Sequence, residues 1–131
     1  MKRILVIDDD ASVRSAMTQT LVDAGYETSS ASGGEEGVSI VGETPIDLVV
    51  TDIFMPDRDG VEIILELRRD YPDMGIVAVS GGGTLRMGNY LPAARKLGAQ
   101  RTLEKPFSSE QLLSAVEEVP EGPAYPRSPC P

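Results

Sequence analysis

Five short runs with strand character alternate with segments of helical spacing, and this alternation constrains the fold more than any other feature of the sequence. Three of these runs, 3–8, 46–52 and 75–81, are largely apolar until a polar or small residue ends them. Such runs are typical of strands that are buried on both faces of a parallel sheet. A weaker, polar run at 26–32 and a run at 101–107 that a proline interrupts complete the five predicted strands.

The segments between the strands predict the helices. They run from Asp10 or Ser12 to Gly25, over 33–43, from Val61 to about Tyr71, over 91–98, and from the capping box of Ser108 and Gln111 to about Val119. In the third helix, Val61, Ile64, Leu65 and Arg68 are expected on one side. Strands and helices in this order imply a parallel sheet with helices on both faces and right-handed crossovers.

The length and composition predict one folded domain and a short tail. A chain of 131 residues fits a single domain, which we expect to span residues 1–119. Residues 120–131 hold five of the chain's ten prolines and are predicted to be a flexible tail.

The charge and the residue types exclude several classes of function. The net charge of −9 argues against nucleic-acid binding, which needs clustered Lys and Arg. Histidine is absent, which removes His-based triads, His-ligated zinc and a phosphohistidine relay within the chain. No apolar run is long enough to span a membrane, and the lone Cys130 without an export signal favours the cytoplasm.

Chemically active side chains stand where four of the predicted strands end. Asp8, Asp9 and Asp10 end the first strand, and Asp52, Ser80 and Lys105 end the third, fourth and fifth. The carboxyl ends of parallel strands lie at the same edge of a sheet, so we expect these groups to converge. Asp10 is the exception, because an acid at this position is most simply a helix N-cap.

Crowded carboxylates need a cation. Two unit charges about 4 Å apart repel by about 4 kcal/mol at an effective dielectric of about 20. Oxygen ligands suit Mg²⁺, with Mn²⁺ as a substitute, and such an ion commonly meets phosphate. Ser80 and Lys105 would then face phosphate oxygens, so the set predicts phosphoryl transfer to a carboxylate.

Four motifs, "VIDDD", "VVTDIFMPDRDG", "VAVSG" and "LEKPF", occur in this order, and with them the chain resembles a response-regulator receiver domain of the chemotaxis-regulator type. The resemblance covers residues 3 to about 119. It implies a flavodoxin-like (βα)₅ fold, a doubly wound five-stranded parallel sheet of order 2-1-3-4-5. It also implies a stand-alone response regulator of a two-component phosphorelay. Such a protein is a switch that phosphorylates and dephosphorylates itself with Mg²⁺, and it is not an enzyme.

The resemblance assigns roles residue by residue. Asp52 would accept the phosphoryl group from a histidine kinase or a histidine-phosphotransfer protein, with Ser80 and Lys105 contacting that group. The implied metal ligands are Asp9 directly, Asp8 mainly through water, Asp52, and the backbone carbonyl of Phe54. The Lys105–Pro106 peptide would be cis, which is uncommon for X–Pro bonds.

One departure from the family affects the expected output. Thr102 stands where the family often has an aromatic residue that turns inward on phosphorylation, so we expect Ser80 and the following glycine-rich loop to move instead. The downstream partner is expected on the face formed by 91–118. The resemblance leaves a monomer or a weak dimer open.

Two alternatives remain open from the sequence. A haloacid-dehalogenase-like Mg²⁺ phosphatase would use Asp8 as its nucleophile, because Asp8 and Asp10 form an Asp-x-Asp pair, but the chain is short for that family. A flavodoxin-like binding module without chemistry would use "SGGGT" to hold a phosphate by its backbone N–H groups.

Overall fold

A computed structural model describes residues 3–53, 60–80 and 98–119 of the chain. In these residues five parallel strands form one sheet of order β2-β1-β3-β4-β5, which confirms the predicted order. The strands are β1 (Arg3–Ile7), β2 (Glu27–Ala31), β3 (Leu48–Asp52), β4 (Gly75–Ser80) and β5 (Arg101–Glu104). The fifth strand therefore ends earlier than predicted.

The described residues also contain the helices α1 (Ala11–Asp23), α2 (Gly34–Glu43), α3 (Gly60–Asp70) and α4 (Ser109–Glu118). The predicted helix over 91–98, the glycine-rich loop after Ser80 and the tail lie outside the described residues, apart from Gly98. In residues 3–53, 60–80 and 98–119, no helix is long and apolar enough to cross a bilayer.

The central strands are buried because alternate side chains pack into two different cores. Leu5 and Val49 belong to a core that includes residues of α2 and α3. Val6 and Val50 belong to the core on the other face, which includes residues of α1 and α4. Residues one apart on a strand point to opposite faces, so a strand with helices on both sides must be apolar throughout. This explains the continuous apolar runs in the sequence.

Two helix starts follow the predicted capping. The Asp10 carboxylate accepts hydrogen bonds from the backbone N–H groups of Ser12 and Val13, at 2.9 and 3.2 Å. Ser108 and Gln111 form a reciprocal capping box at the start of α4. Both caps pair backbone donors that the first helical turn leaves without an intrahelical acceptor.

The predicted inner side of α3 is partly wrong. Leu65 is 47% exposed, whereas Ile63, Ile64 and Leu67 are fully or almost fully buried. With Gly60, the buried residues have the spacing i, i+3, i+4, i+7 of a single helical face. The apolar run 63–65 fits two rotations of the helix, and the sequence alone did not distinguish them.

Gly60 lies against the chain that leaves β3, and its side-chain position is blocked. A Cβ atom there would collide with the Cα of Ile53 and would lie 2.6 Å from the carbonyl oxygen of Asp52. The Gly60 N–H also donates to the Ile53 carbonyl at 2.7 Å. The start of α3 is therefore packed directly on the end of the strand that carries Asp52.

We expect Gly60→Ala to lower the free energy of unfolding by about 1–3 kcal/mol, because the added methyl group meets backbone atoms that cannot rotate away. Gly42→Ala in α2 is the matched control, since its Cβ would meet only the Tyr71 hydroxyl at 4.0 Å. There the better helix propensity of alanine should raise stability by about 0.5–1 kcal/mol. Urea denaturation of both variants measures the two effects, and equal shifts in the same direction would contradict the packing described here.

Candidate functional site

The predicted site residues of the strand ends lie together at one edge of the sheet. Asp8 follows β1 directly, Asp52 and Ser80 are the last residues of β3 and β4, and Lys105 follows β5. In the ladder between β3 and β4, Asp52 pairs with Val79, and Ser80 is the next residue of β4. The parallel arrangement therefore brings residues almost one hundred positions apart into contact.

Lys105 joins two of the carboxylates. Its Nζ atom lies 3.0 Å from Oδ2 of Asp8 and 3.3 Å from Oδ2 of Asp52. The Asp8 side chain is fully buried and that of Asp52 is 7% exposed, whereas the Lys105 side chain is 21% exposed. One ammonium group thus lies close to two acids that have little or no access to water.

The surroundings of Lys105 favour its charged form. Burial by itself lowers the pKa of an ammonium group, and it is the largest single influence here. The hydrogen bond to Asp8 and the charges of Asp52 and Asp8 together outweigh burial, so the pKa of Lys105 is raised above its ordinary value. At neutral pH this site therefore contains a protonated lysine.

Asp8 is held by hydrogen bonds at both carboxylate oxygens. Oδ1 accepts from the backbone N–H of Asp10 at 2.9 Å, and Oδ2 accepts from Lys105. Asp9, by contrast, is exposed, and in the described part of the chain no hydrogen bond to its carboxylate is found. The two neighbouring acids therefore differ in how freely they can bind anything further.

Carboxylate oxygens of Asp8, Asp9 and Asp52 all lie within 4.8 Å of one another. We call these three residues the acidic cluster. Their donor set consists entirely of hard oxygen atoms, and it fits Mg²⁺ or Mn²⁺ better than a softer metal. The fourth predicted ligand, the carbonyl of Phe54, lies outside the described residues.

Ser80 is fully buried at the end of β4. Its backbone carbonyl accepts a hydrogen bond of 2.7 Å from the backbone N–H of Lys105, so these two candidate residues are linked through the main chain. The Lys105–Pro106 peptide is cis, as the resemblance implies. Thr102 is half-buried in β5, opposite Ala78 of β4.

Two features near the site were not predicted from the sequence. Nη1 of Arg14 donates to the backbone carbonyl of Asp8 at 2.8 Å. A largely apolar groove of about 470 Å³ lies between α1 and the start of α4, with Met17, Phe107 and Leu112 in its wall and Lys105 at its margin. Nothing in the local sequence pattern indicates a long side chain that reaches back to a carbonyl, or a groove between helices distant in sequence.

Comparison with known protein families identifies the chain. The family model of the response regulator receiver domain matches residues 4–117. The chain belongs to the response-regulator receiver domain family. It therefore has the phosphoacceptor role of such domains in two-component systems, and the family predicted from the four motifs is confirmed.

Two curated relatives of this receiver domain are much longer proteins. It is 36% identical over 118 residues to the sensor kinase CckA of Brucella abortus, a match that covers 88% of this chain and 12% of the kinase. It is 35% identical over 114 residues to the DNA-binding transcriptional regulator NtrC of Azospirillum brasilense, covering 87% of this chain and 23% of that regulator. The chain thus spans less than a quarter of the length of either relative.

Solved structures agree with the fold. The chemotaxis protein CheY4 of Vibrio cholerae has a TM-score of 0.83 and 29% identity, with 92% of this chain and 99% of that chain covered. The beryllofluoride-activated NtrC4 receiver domain dimer has a TM-score of 0.81 and 34% identity, with 91% and 96% covered. The flavodoxin-like sheet of order 2-1-3-4-5 is therefore confirmed.

Lys105→Met tests the charge balance of the site without any metal. We expect it to lower the free energy of unfolding by about 1–3 kcal/mol in metal-free buffer, because two buried or nearly buried carboxylates lose their shared cation. Arg69→Met is the matched control, since Arg69 pairs with its exposed neighbour Asp70. The control should change stability little in the same urea titration. A loss for Lys105→Met no larger than that of the control would contradict the role given to Lys105.

Proposed function

We propose that Asp52 is the residue that accepts the phosphoryl group in this receiver domain. The observation that supports this proposal is the contact of the Lys105 ammonium group with both Asp52 and Asp8 at the carboxyl edge of the sheet. Asp52 ends β3, lies beside this cation, and forms the acidic cluster together with Asp8 and Asp9. A carboxylate nucleophile, a cation for the incoming charge and a metal site are what phosphoryl transfer to aspartate requires.

We propose that the acidic cluster holds Mg²⁺, with Mn²⁺ as a substitute and the Phe54 carbonyl as a further ligand. When bound, the ion supplies positive charge for the phosphoryl oxygens and for the crowded carboxylates. Both oxygens of Asp8 already accept hydrogen bonds from the protein. This supports direct ligation by Asp9 and a role for Asp8 mainly through water.

The side chains around Asp52 have separate tasks in this proposal. The protonated Lys105 forms an ion pair with the phosphoryl group, and the hydroxyl of Ser80 donates a hydrogen bond to one of its oxygens. Phosphorylation adds a charge of about −1.5 to −2 at Asp52, which draws both residues toward the new group. The domain phosphorylates and dephosphorylates itself slowly, and it does not turn over a separate substrate.

A histidine kinase or a histidine-phosphotransfer protein is the proposed phosphodonor, because the chain contains no histidine of its own. The proposed output face is 91–118, of which the described part includes β5 and α4. We propose a cytoplasmic regulator, monomeric or weakly dimeric, with a receiver domain over 1–119 and a separate tail over 120–131. The match of the family model to 4–117 and the burial of Val119 support this domain boundary.

The phosphatase alternative is poorly supported by the geometry. A nucleophilic Asp8 would be fully buried with both oxygens engaged, and Asp10 accepts hydrogen bonds as the N-cap of α1. An Asp-x-Asp phosphatase needs both acids directed at its substrate. The phosphate-binding segment of the third alternative, "SGGGT", lies outside the described residues except for Ser80.

The test of the proposed function is phosphorylation by acetyl phosphate with Mg²⁺, measured by intact mass. We expect the wild type to gain one phosphoryl group and Asp52→Asn to gain none, because an amide is not a nucleophile for this reaction. Asp73→Asn is the matched control, because Asp73 is exposed and lies in the turn at the opposite end of β4. It should be labelled like the wild type.

Labelling of Asp52→Asn to the wild-type level would disprove the assignment of Asp52. Continuous hydrolysis of phosphate esters that is lost in Asp8→Asn and kept in Asp52→Asn would favour the phosphatase instead. Both assays use the same protein preparations, so the two functions are separated directly.

A further inference from the structure

The guanidinium group of Arg14 is bonded to the turn that carries the acidic cluster. Arg14 lies in the first turns of α1, and its Nη1 atom donates to the carbonyl oxygen of Asp8 at 2.8 Å. The arginine reaches back over six residues to make this contact. We propose that Arg14 is a positioning residue for the divalent ion, acting through the backbone between Asp8 and Asp9. This inference rests on the proposed Mg²⁺ site.

The contact matters because it completes the hydrogen bonding of Asp8. Asp8 is fully buried, and each of its polar atoms has a protein partner. Its N–H donates to the Ala31 carbonyl at 3.2 Å, and its carboxylate accepts from Asp10 and Lys105. Without Arg14 the Asp8 carbonyl loses the donor seen here, and the turn between Asp8 and Asp9 loses an anchor to α1.

The same contact fixes the orientation of Asp9. The carbonyl of Asp8 and the N–H of Asp9 belong to one planar peptide group, so a donor that holds the carbonyl also sets the direction in which Asp9 leaves the turn. In the described part of the chain no hydrogen bond holds the Asp9 carboxylate itself. Arg14 anchors the backbone that carries this proposed direct metal ligand.

Charge and positioning predict opposite effects on metal binding. Arg14 is a cation near the acidic cluster, and its charge also reaches Glu36 of α2. The pKa of Glu36 is lowered mainly by hydrogen bonds from Ser32 and to a lesser degree by the charge of Arg14. If Arg14 acted only through its charge, removing it would strengthen the binding of a divalent cation. If it positions the ligands, removing it weakens that binding.

The experiment is calorimetric titration of the folded, metal-free chain with MgCl₂, with no phosphodonor present. We expect Arg14→Gln to bind Mg²⁺ about 10-fold more weakly than the wild type, as is typical when a group that orients a metal ligand is removed. Arg14→Lys should recover part of the affinity, because an ammonium group can still donate one hydrogen bond to the Asp8 carbonyl. The control Arg69→Gln makes the same change in net charge at an exposed pair with Asp70 and should bind like the wild type.

Binding by Arg14→Gln that equals or exceeds that of Arg69→Gln would overturn the inference. A general loss of stability would not mimic the expected result, because the affinity is measured on the folded protein well below its unfolding transition. Should Arg14→Gln not fold, Arg14→Lys and Arg69→Lys form the test, and equal affinity of these two would overturn the inference. Failure of the wild type itself to bind Mg²⁺ would instead reject the metal site of the proposed function.

Discussion

The repulsion between carboxylates at the carboxyl edge of the sheet is the constraint on which the rest of the site depends. Asp8 is fully buried and Asp52 nearly so, and their oxygens lie within 4.8 Å of each other and of Asp9. Like charges this close cost several kcal/mol in a poorly solvated environment. Lys105 offsets part of that cost with a single ammonium group. The acidic cluster contains more carboxylates than this one cation can pair with, and this imbalance supports the proposed divalent-ion site.

The residues that balance this charge also hold the strand ends together. Lys105 bonds to Asp8 and Asp52 through its side chain and to the Ser80 carbonyl through its backbone. Asp8 in turn is bonded to the end of β2 and to α1. A change of charge at Asp52 therefore acts on groups that belong to the hydrogen-bonding framework of the fold. This arrangement is suited to a switch, because a local electrostatic change alters contacts between several elements.

The residue pattern was sufficient to predict a parallel sheet and the residues at its strand ends, because buried parallel strands are apolar throughout and their carboxyl ends share one edge. The strand order followed only from the resemblance to receiver domains. It was insufficient where two arrangements satisfy the same pattern. The run 63–65 fits two rotations of α3, and only packing placed Leu65 outside. Arg14 and Arg68 were beyond pattern analysis for another reason. The guanidinium group of Arg14 binds the backbone carbonyl of Asp8, and that of Arg68 binds the carbonyls of Met74 and Gly98. Backbone carbonyls occur at every residue, so such contacts leave no signature in a sequence.

Thr102 restricts how a signal can leave the site. It lies opposite Ala78 at the outer strand of the sheet and is too small to report a change at Asp52 by turning a bulky ring between two positions. In the described residues, Lys105 contacts Asp52 through its ammonium group and holds the Ser80 carbonyl through its backbone N–H at 2.7 Å. Movement of Lys105 toward a phosphoryl group would pull on Ser80, the last residue of β4. The main chain, rather than an aromatic side chain, is therefore the element whose two arrangements we expect to differ between the unphosphorylated and phosphorylated states.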